Sequence, residues 1–407
     1  MHKKFLILAL SSAIAACGQP EQSNTPAPAA AAPQQAVTGQ VLAQRYTLID
    51  THVDVPNRME DRFEDVGLRT EHGEFDFPRA RQGGLDVPFM SIYIPPADED
   101  AGIATEHANR LIDDVEKLVA RHPDKFAIPY SLADMQAQVD RGLISLPMGM
   151  ENGAPIAGSI DNLHHFAERG IRYITLCHSK SNHISDSSYD EHRRWNGLSE
   201  FGKKLVREMN KTGVMVDVSH ISDDAFWQVM EVSEVPVIAS HSSARHFTPG
   251  FERNMSDEMI EALAENGGLI MINFGSFFIS QASKDSWESV KAEVAGQVKA
   301  GGLDPRGEEA RALEKALIRE KFEYADISDV LDHFDHVRDL VGVDHIGIGS
   351  DYDGVGDSLP TGLKDTASYP NLIDGLLERG YSEADIEKIM GGNLLRVWQQ
   401  AEAYAAR

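Results

Sequence analysis

Short apolar runs alternate with amphipathic stretches along most of the chain. Eight apolar runs predict strands, and they span residues 46–54, 86–94, 144–151, 172–178, 214–220, 235–241, 269–274 and 345–351. Helical spacing separates most of these runs, as at residues 105–122, where Leu111, Val115 and Leu118 fall on one side. Strands and helices in alternation predict an α/β protein.

The number of strands and the first turn favour a barrel. Eight strands with helices between them fit a TIM-like (β/α)8 barrel. A doubly wound sheet also alternates, but it usually has fewer strands and a glycine-rich phosphate turn after the first. The first run here ends in HVDVP at residues 52–56, without those glycines. We therefore expect a (β/α)8 barrel.

A charged, helix-forming stretch at residues 281–340 precedes the last predicted strand. It is unusually long for a connection between a strand and the next one in this fold. We therefore expect two or more surface helices there, as a helical insertion before the last barrel strand. His333 and His336, three residues apart on one of these helices, are expected at the surface.

The first 40 residues differ in composition from the rest. Residues 1–17 place Lys3 and Lys4 before a short apolar run and end in small residues and Cys17. This is the pattern of an export signal, and residues 14–17 resemble a bacterial lipobox, in which the cysteine is lipidated. Residues 18–40 are rich in Pro, Ala and Gln and predict a flexible tether. We expect one folded domain at residues 41–407 of an exported lipoprotein, anchored through Cys17 in the cell envelope, at the outer membrane or facing the periplasm.

The net charge and the cysteine content limit which partners the chain can bind and whether it can form a disulfide. The chain has 38 basic and 64 acidic side chains and a net charge of −26. Such a field repels nucleic acid, so we expect no nucleic-acid partner. Only two cysteines are present. Because Cys17 belongs to the leader, Cys177 has no partner for an internal disulfide, and we interpret it as a small buried apolar residue.

Imidazole and carboxylate groups occur at the downstream ends of six of the eight predicted strands. They are His52 and Asp54 on the first, Glu151 on the third, His178 on the fourth, His220 on the fifth, His241 on the sixth and Asp351 on the eighth. Active sites of this fold lie at the rim where the carboxyl ends of the strands meet. We therefore expect these side chains to share one rim.

The residue types predict a metal centre. His52 and Asp54 are two residues apart on a strand, so both side chains can reach one ion. Glu151 has two oxygens and could bridge two ions, and His220 and His241 could complete a second ion. Neutral imidazole and carboxylate oxygen suit zinc, with manganese, cobalt or iron as alternatives.

A general base is expected at the eighth strand. Asp351 and Asp353 lie two residues apart in GSDYDG at residues 349–354, so spacing does not choose between them. Asp353 with Gly354 is also typical of a turn. A carboxylate here could take a proton from metal-bound water, whose pKa zinc lowers to about 7.

Taken together, these motifs resemble the renal (membrane) dipeptidase family, peptidase family M19, of the amidohydrolase superfamily. The matching segments follow the family order across about residues 45–400, and they are DTHVD (50–54), GMENG (149–153), LCHS (176–179), DVSH (217–220), SHSSA (240–244), RN (253–254), GSDYDG (349–354) and GGNL (391–394). The resemblance implies two Zn²⁺ ions, one on His52 and Asp54 and the other on His220 and His241, bridged by Glu151.

The same resemblance assigns the chemistry. It implies that Asp351, not Asp353, is the acid/base residue that orients a metal-bridging hydroxide. It further implies that His178 polarises the scissile carbonyl and that Arg253 binds the substrate's C-terminal carboxylate. The expected activity is hydrolysis of dipeptides, including those with a C-terminal D-amino acid, and the family suggests a homodimer.

Two other functions remain possible at this point, and the role of one segment is undecided. The chain could be another binuclear amidohydrolase, acting on a lactone, an N-acyl amino acid or a phosphotriester, although Arg253 argues for a substrate with a carboxylate. It could also be a binding lipoprotein with a decayed site, although all the expected ligands are present. The insertion at about 281–335 has no counterpart in the family pattern, and it could cap the rim, extend a dimer interface or decorate the surface.

Overall fold

Ten strands build two parallel sheets in the computed structural model, which describes residues 37–305 and 307–407. The strands are β1 Leu48–Val53, β2 Leu85–Tyr93, β3 Phe126–Ala127, β4 Ile144–Ser145, β5 Met148–Glu151, β6 Ile171–Thr175, β7 Met215–Asp217, β8 Ile238–Ser242, β9 Leu269–Ile272 and β10 Ile346–Ile348. Eight of them form one sheet in the order β1-β2-β5-β6-β7-β8-β9-β10, and β3 pairs with β4. Each pairing is parallel, so the strand carboxyl ends meet at one edge.

Backbone hydrogen bonds between the first strand and the segment after the last one close the sheet. The amide of Asp54 donates to the carbonyl of Tyr352 over 2.8 Å, and the amide of Asp351 donates to the carbonyl of His52 over 3.1 Å. The Thr51 hydroxyl adds a 3.1 Å hydrogen bond to the carbonyl of Ile348 inside the barrel. The predicted (β/α)8 barrel is confirmed.

Helices cover the barrel and follow most of its strands. They are α1 Gly39–Ala43, α2 Val55–Asp61, α3 Phe77–Gly83, α4 Pro96–Ala101, α5 Ala104–Arg121, α6 Leu132–Asp140, α7 Ile160–Glu168, α8 Glu200–Thr212, α9 Asp223–Val232, α10 Asp257–Glu265, α11 Ser276–Ile279, α12 Gln281–Gly301, α13 Glu308–Lys321, α14 Ile327–Val341, α15 Tyr369–Glu378, α16 Glu383–Glu387 and α17 Asn393–Ala405. In α5 the predicted apolar face is buried against the barrel through Leu111, Val115 and Leu118. Within the described residues, no helix has the length and apolar character needed to cross a membrane.

Three predicted strands differ from the observed ones in ways that matter for the site. The run at 144–151 splits into β4 and β5 at Pro147, whose missing amide hydrogen interrupts a strand ladder. The runs at 172–178 and 214–220 end early, since β6 stops at Thr175 and β7 at Asp217. His178 and His220 therefore lie three residues beyond their strands, on the loops above the rim.

The helical segment before β10 has two parts with different surroundings. Helices α12 and α13 form a pair with a small core of their own, made of Val290, Leu317, Ile318 and Phe322. Helix α14 instead packs on the barrel, so the insertion ends near residue 322, not 335. The expectation that His333 lies at the surface is wrong. It is fully buried, accepting from the Ala244 amide and contacting the Ile279 carbonyl, both at 3.0 Å, because it shares a face with Val330, Phe334 and Val337.

The chain's amino-terminal region contributes one short helix to the described part. Helix α1 begins at Gly39, where the Thr38 side chain accepts a hydrogen bond from the Val41 amide. The first described helix therefore begins two residues before the predicted boundary at residue 41. The predicted export signal, the lipidated Cys17 and nearly all of the predicted tether lie outside the described residues.

Candidate metal centre

All seven predicted imidazole and carboxylate residues meet at the carboxyl edge of the barrel. Their ligand atoms form three overlapping groups, and within each group the atoms lie within 4.8 Å of one another. The groups are His52, Glu151 and His241; Glu151, His178 and His220; and His52, Asp54 and Asp351. Glu151 and His52 each belong to two groups, so the three groups make one continuous cluster.

Glu151 stands at the centre of this cluster and faces a different set of imidazoles with each oxygen. Its Oε2 lies 3.4 Å from Nε2 of His52. Its Oε1 lies 3.2 Å from Nε2 of His220 and 3.3 Å from Nε2 of His241. Glu151 is the last residue of β5 and is 4% exposed. This is the arrangement a carboxylate needs to bridge two cations.

The orientation of His52 follows from its contact with a tyrosine. The hydroxyl of Tyr173 donates its single proton to the carbonyl of Thr51 at 2.9 Å. It must therefore accept from Nδ1 of His52, 2.8 Å away. We assign the Nε2 lone pair of His52 to the side facing Glu151 and Asp54, and this atom has no hydrogen-bond partner among the described residues.

A serine and an aspartate orient His241 in the same way. The Ser240 hydroxyl donates to Oδ2 of Asp217 at 2.6 Å and lies 2.7 Å from Nδ1 of His241. Because the hydroxyl proton is committed to Asp217, Nδ1 of His241 is the donor and its Nε2 carries the lone pair. Such outer hydrogen bonds fix the tautomer of histidines that bind metals.

His220 presents its Nε2 lone pair through a strained backbone. Its φ is 70°, in the left-handed region that costs a non-glycine residue free energy and is concentrated at functional sites. Its Nε2 lies 2.8 Å from Nε2 of His241 and accepts from Nη2 of Arg253 at 3.1 Å. A guanidinium can only donate, so His220 is protonated on Nδ1.

The electrostatics of the cluster favour a cation. Burial holds the pKa of both His220 and His241 well below the ordinary value, so both are neutral, as metal ligands must be. The Nε2 lone pairs of His220 and His241 thus face each other and one oxygen of Glu151. For His52, burial lowers the pKa, but Tyr173, Glu151 and Asp54 outweigh it and raise the pKa well above its ordinary value, so a cation would take the place of a proton on its Nε2. Burial, with Asp54 and Glu151 nearby, also raises the pKa of Asp351 to about 7. Lone pairs and negative charge gathered this closely fit a site for divalent metal ions.

Asp54 and Asp351 complete the centre, and a glycine makes room for them. Asp54 occupies the N-cap position of α2 but makes no side-chain capping bond; its Oδ2 points instead to Nε2 of His52 at 3.4 Å. A Cβ on Gly354 would lie 2.2 Å from Oδ2 of Asp54 and 2.3 Å from Oδ1 of Asp351. Any larger residue at this position would force these two carboxylates to move.

The structure separates the two aspartates that spacing leaves equivalent. Asp353 turns away from the cluster and binds Nη1 of Arg58 with both oxygens, at 2.9 and 3.1 Å, and the amide of Glu74 at 2.7 Å. Asp351 lines the cleft, where its Oδ2 accepts from Nδ2 of Asn273 at 2.7 Å. Asp351 is therefore the carboxylate placed to reach a bound substrate.

Both predicted substrate-contacting residues adjoin the cluster, but only His178 lines the cleft, whereas Arg253 is buried against His220 and His241. Nε2 of His178 is 3.4 Å from Oε1 of Glu151, and the His178 ring meets that of Tyr93 edge-on at 4.9 Å. Burial lowers the pKa of His178, so this imidazole is neutral. Arg253 is 3% exposed and donates to the Ser242 hydroxyl at 2.9 Å. Its Nε has no hydrogen-bond partner among the described residues.

A cleft of about 710 Å³ opens above the cluster. Its floor includes Asp54, Glu151, His178, His220 and Asp351. One wall comes from the insertion, through residues of α12 at helical i, i+3, i+4 and i+7 spacing, which are Lys284, Trp287, Glu288 and Lys291. The insertion was expected to cap the rim, extend a dimer interface or decorate the surface. Because α12 forms a wall of the cleft, the insertion caps part of the rim.

Some residues of the site were not found by sequence reasoning. Tyr173, Asp217 and Asn273 orient His52, His241 and Asp351, respectively. Asn273 directly follows β9, one of the two barrel strands for which no ligand was predicted at the rim, so its position at a strand end could have indicated it. Cys177 is confirmed as a packing residue, since it is fully buried and burial raises its pKa.

Sequence comparisons agree with this site. The profile of the membrane dipeptidase family (peptidase family M19) matches residues 38–407. The chain is 33% identical over 370 residues to Dipeptidase 3 of Mus musculus, covering 89% of this chain and 66% of that protein. It is 32% identical over 356 residues to Dipeptidase tcpJ of Claviceps purpurea, covering 86% and 74%. This chain thus spans about two thirds of the length of the mouse protein.

Solved structures share the fold. The probable dipeptidase PvdM of Pseudomonas aeruginosa superposes with a TM-score of 0.78 at 26% identity, over 90% of this chain and 98% of that one. A metallopeptidase of Rhodobacter sphaeroides, solved with a phosphinate mimic of L-Ala-D-Ala, gives 0.72 at 24% identity, over 88% and 99%. By fold and site the chain is a hydrolase of the metallopeptidase class. It belongs to the membrane dipeptidase family, and by family it is a metallo-dipeptidase.

Proposed function

We propose that the chain is a zinc-dependent dipeptidase with two ions in its centre, one on His52 and Asp54, the other on His220 and His241, and Glu151 as the bridge. The observation that carries this proposal is the convergence of the Nε2 atoms of three histidines on the two oxygens of Glu151. Imidazole and carboxylate are the donors that zinc takes in catalytic sites. Bound ions would lower the pKa of a water molecule and polarise the scissile carbonyl.

Asp351 moves the proton in this proposal. Its Oδ2 is held by Asn273, which leaves Oδ1 to accept the proton of the attacking water. Transfer of that proton to the departing nitrogen completes hydrolysis, giving a free carboxylate and a free amine. Two hydrogen bonds fix the position of this base, the one from Asn273 and the backbone bond from its own amide to His52.

His178 and Arg253 bind the substrate. A neutral His178 on the cleft floor can donate one N–H to the carbonyl oxygen as negative charge develops there. Nη2 of Arg253 donates to Nε2 of His220, and a metal ion on that nitrogen would free this N–H for a substrate carboxylate, which would restrict substrates to short peptides with a free C-terminus. The family resemblance adds acceptance of a C-terminal D-residue.

The test combines metal depletion with a substrate panel. Chelation followed by dialysis should abolish turnover, and two equivalents of Zn²⁺ per chain should restore it. The panel pairs L,L and L,D dipeptides with a lactone, an N-acyl amino acid and a phosphotriester. Cleavage of the dipeptides in preference to the others supports the proposal. Full turnover without metal, or preference for the lactone or phosphotriester, contradicts it.

We also propose that the mature chain is exported, lipid-anchored at Cys17 and dimeric. The support for the anchor is the leader pattern of residues 1–17, and the support for the dimer is the family resemblance. A Cys17→Ser variant should move from the membrane fraction to the soluble fraction. Sedimentation of the domain should give twice the monomer mass, and a monomer at all concentrations would contradict the dimer.

A further inference from the structure

Four aromatic side chains form a continuous wall on the cleft side that carries the insertion. They are Phe251, Phe277, Phe278 and Trp287, here called the aromatic wall, and all four line the cleft. Trp287 stacks on Phe277 with ring centres 5.0 Å apart and planes within 14°. Phe277 contacts Phe278 at 4.3 Å, and Phe278 lies parallel to Phe251 at 6.1 Å. The wall therefore runs without interruption from the barrel loops to α12.

Trp287 is held in place from behind by the insertion itself. The ring of Phe322, at the end of α13, meets Trp287 edge-on at 5.5 Å. Phe322 belongs to the small core between α12 and α13. One face of Trp287 is thus fixed by the stack on Phe277 and its edge by Phe322, so the indole is a rigid part of the cleft. A rigid ring can stack on a ligand at little cost in side-chain entropy.

Two lysine ammonium groups lie over rings of the wall. Lys284 forms an ion pair with Glu288 one helical turn away, and its ammonium lies 5.1 Å from the centre of the Phe251 ring. Lys291 stands at the far end of the same face, with its ammonium 5.9 Å from the Trp287 ring. Lys284 is neutralised by Glu288, and the exposed side chain of Lys291 can be displaced from the Trp287 ring by a ligand, so the wall can take an apolar group.

The wall begins next to the residue proposed to bind the substrate carboxylate. The guanidinium carbon of Arg253 lies 5.2 Å from the centre of the Phe278 ring. A dipeptide whose C-terminal carboxylate is held by Arg253 has the α-carbon of its second residue one bond away from that carboxylate. The side chain of this residue, not of the first, is therefore the one nearest the wall.

We propose that the aromatic wall binds a large apolar or aromatic side chain on the C-terminal residue of the dipeptide, and that Trp287 is its specificity-determining residue. The proposal rests on the dipeptidase function proposed above and names the substrate class. Through α12, the insertion makes the site selective for bulky second residues. Because Trp287 is not one of the proposed ligands and contacts none of their rings, its replacement changes binding of the substrate and leaves the metal centre intact.

The experiment measures steady-state kinetics of the zinc-loaded full domain on Ala-Ala, Ala-Phe, Phe-Ala and Ala-Glu. In the Trp287→Ala variant, kcat/KM for Ala-Phe should fall about tenfold, mainly through KM. Ala-Ala and Phe-Ala should keep their wild-type values. Trp227→Ala is the matched control, because Trp227 is an exposed tryptophan on α9 that does not line the cleft; it should change none of the four.

A second variant covers the case in which Trp287→Ala disturbs the insertion. Trp287→Leu keeps apolar contact with Phe322 but removes the ring face, so it should lower kcat/KM for Ala-Phe more than for Ala-Leu. Equal losses on all substrates, or a loss confined to Phe-Ala, would overturn the proposal. A wild-type preference for Ala-Glu would also overturn it and point to Lys291. If the zinc-loaded wild type cleaves no dipeptide, the proposed function itself fails, and this inference falls with it.

Discussion

The hydroxyl of Tyr173 lies 2.8 Å from Nδ1 of His52 and, by donating to the Thr51 carbonyl, forces His52 to present Nε2 to the cluster. A tyrosine in the middle of β6 thus decides which nitrogen of a proposed ligand, 121 residues away in the chain, can bind a metal. The contact is fully buried, so no water can replace it in the folded protein.

Replacing Tyr173 with phenylalanine should weaken metal binding without removing a ligand. His52 would lose the acceptor for Nδ1–H and with it the fixed tautomer and orientation. Loss of such outer hydrogen bonds typically costs about 10- to 100-fold in metal affinity. Competition titration with a zinc chelator measures the change. Tyr404→Phe, at a tyrosine on the far side of the molecule, is the control and should bind zinc like wild type.

Asp351→Asn and Asp353→Asn should have opposite phenotypes. The first removes the proposed proton acceptor and should lower kcat by about 10²- to 10⁴-fold with the fold unchanged. The second breaks a buried ion pair with Arg58 and should lower the free energy of unfolding by about 3 kcal/mol. Urea unfolding and turnover, measured on both variants, separate the two effects. Loss of activity with unchanged stability in Asp353→Asn would reverse the assignment.

Gly354→Ala should damage the centre through crowding alone. The added methyl group would lie within 2.3 Å of oxygens of both Asp54 and Asp351, so these carboxylates must move. We expect reduced zinc affinity and reduced turnover together. Gly296→Ala in α12 adds a methyl into open space and should leave both values unchanged. A Gly354→Ala variant that binds zinc normally would show that the carboxylates adjust freely.

Glu74 should make the free energy of unfolding fall as the pH rises. Burial, together with the adjacent carboxylate of Asp353, raises its pKa from an ordinary 4.5 to about 9. The folded state therefore holds a proton that the unfolded chain releases, and stability falls as the pH rises from about 4.5 through about 9. Glu74→Gln should flatten this part of the profile. Urea unfolding of the wild type and of Glu74→Gln at pH 6 and pH 9 provides the check. An equal change in the free energy of unfolding between the two pH values in both proteins would refute the role of Glu74.

The barrel and its ring of ligands were accessible from the sequence for a geometric reason. Parallel strands bring their carboxyl ends to one edge, so residues far apart in the chain can be assigned to one rim from strand ends alone. His52, Glu151 and His241 were placed in this way, and the structure brings them together. The prediction needed only the order of the strands, not their register.

Contacts that depend on packing across the barrel could not be predicted from the sequence. Tyr173 and Asp217 look like ordinary strand residues, and only the folded barrel shows that they orient His52 and His241. Spacing alone left the choice between Asp351 and Asp353 open for another reason. Spacing assumes strand geometry, but β10 ends at Ile348, and φ is 64° at Asp351 and 68° at Asp353, so the two side chains no longer share a face.

The central claim is that Glu151 bridges two ions, and metal content measured together with turnover in Glu151→Gln tests it most directly. The wild type should hold two zinc ions per chain after gel filtration, whereas the variant should lose most of its zinc and of its activity. Glu308→Gln, at an exposed glutamate that begins α13, should behave like wild type. A Glu151→Gln protein that keeps both ions and full turnover would contradict the account.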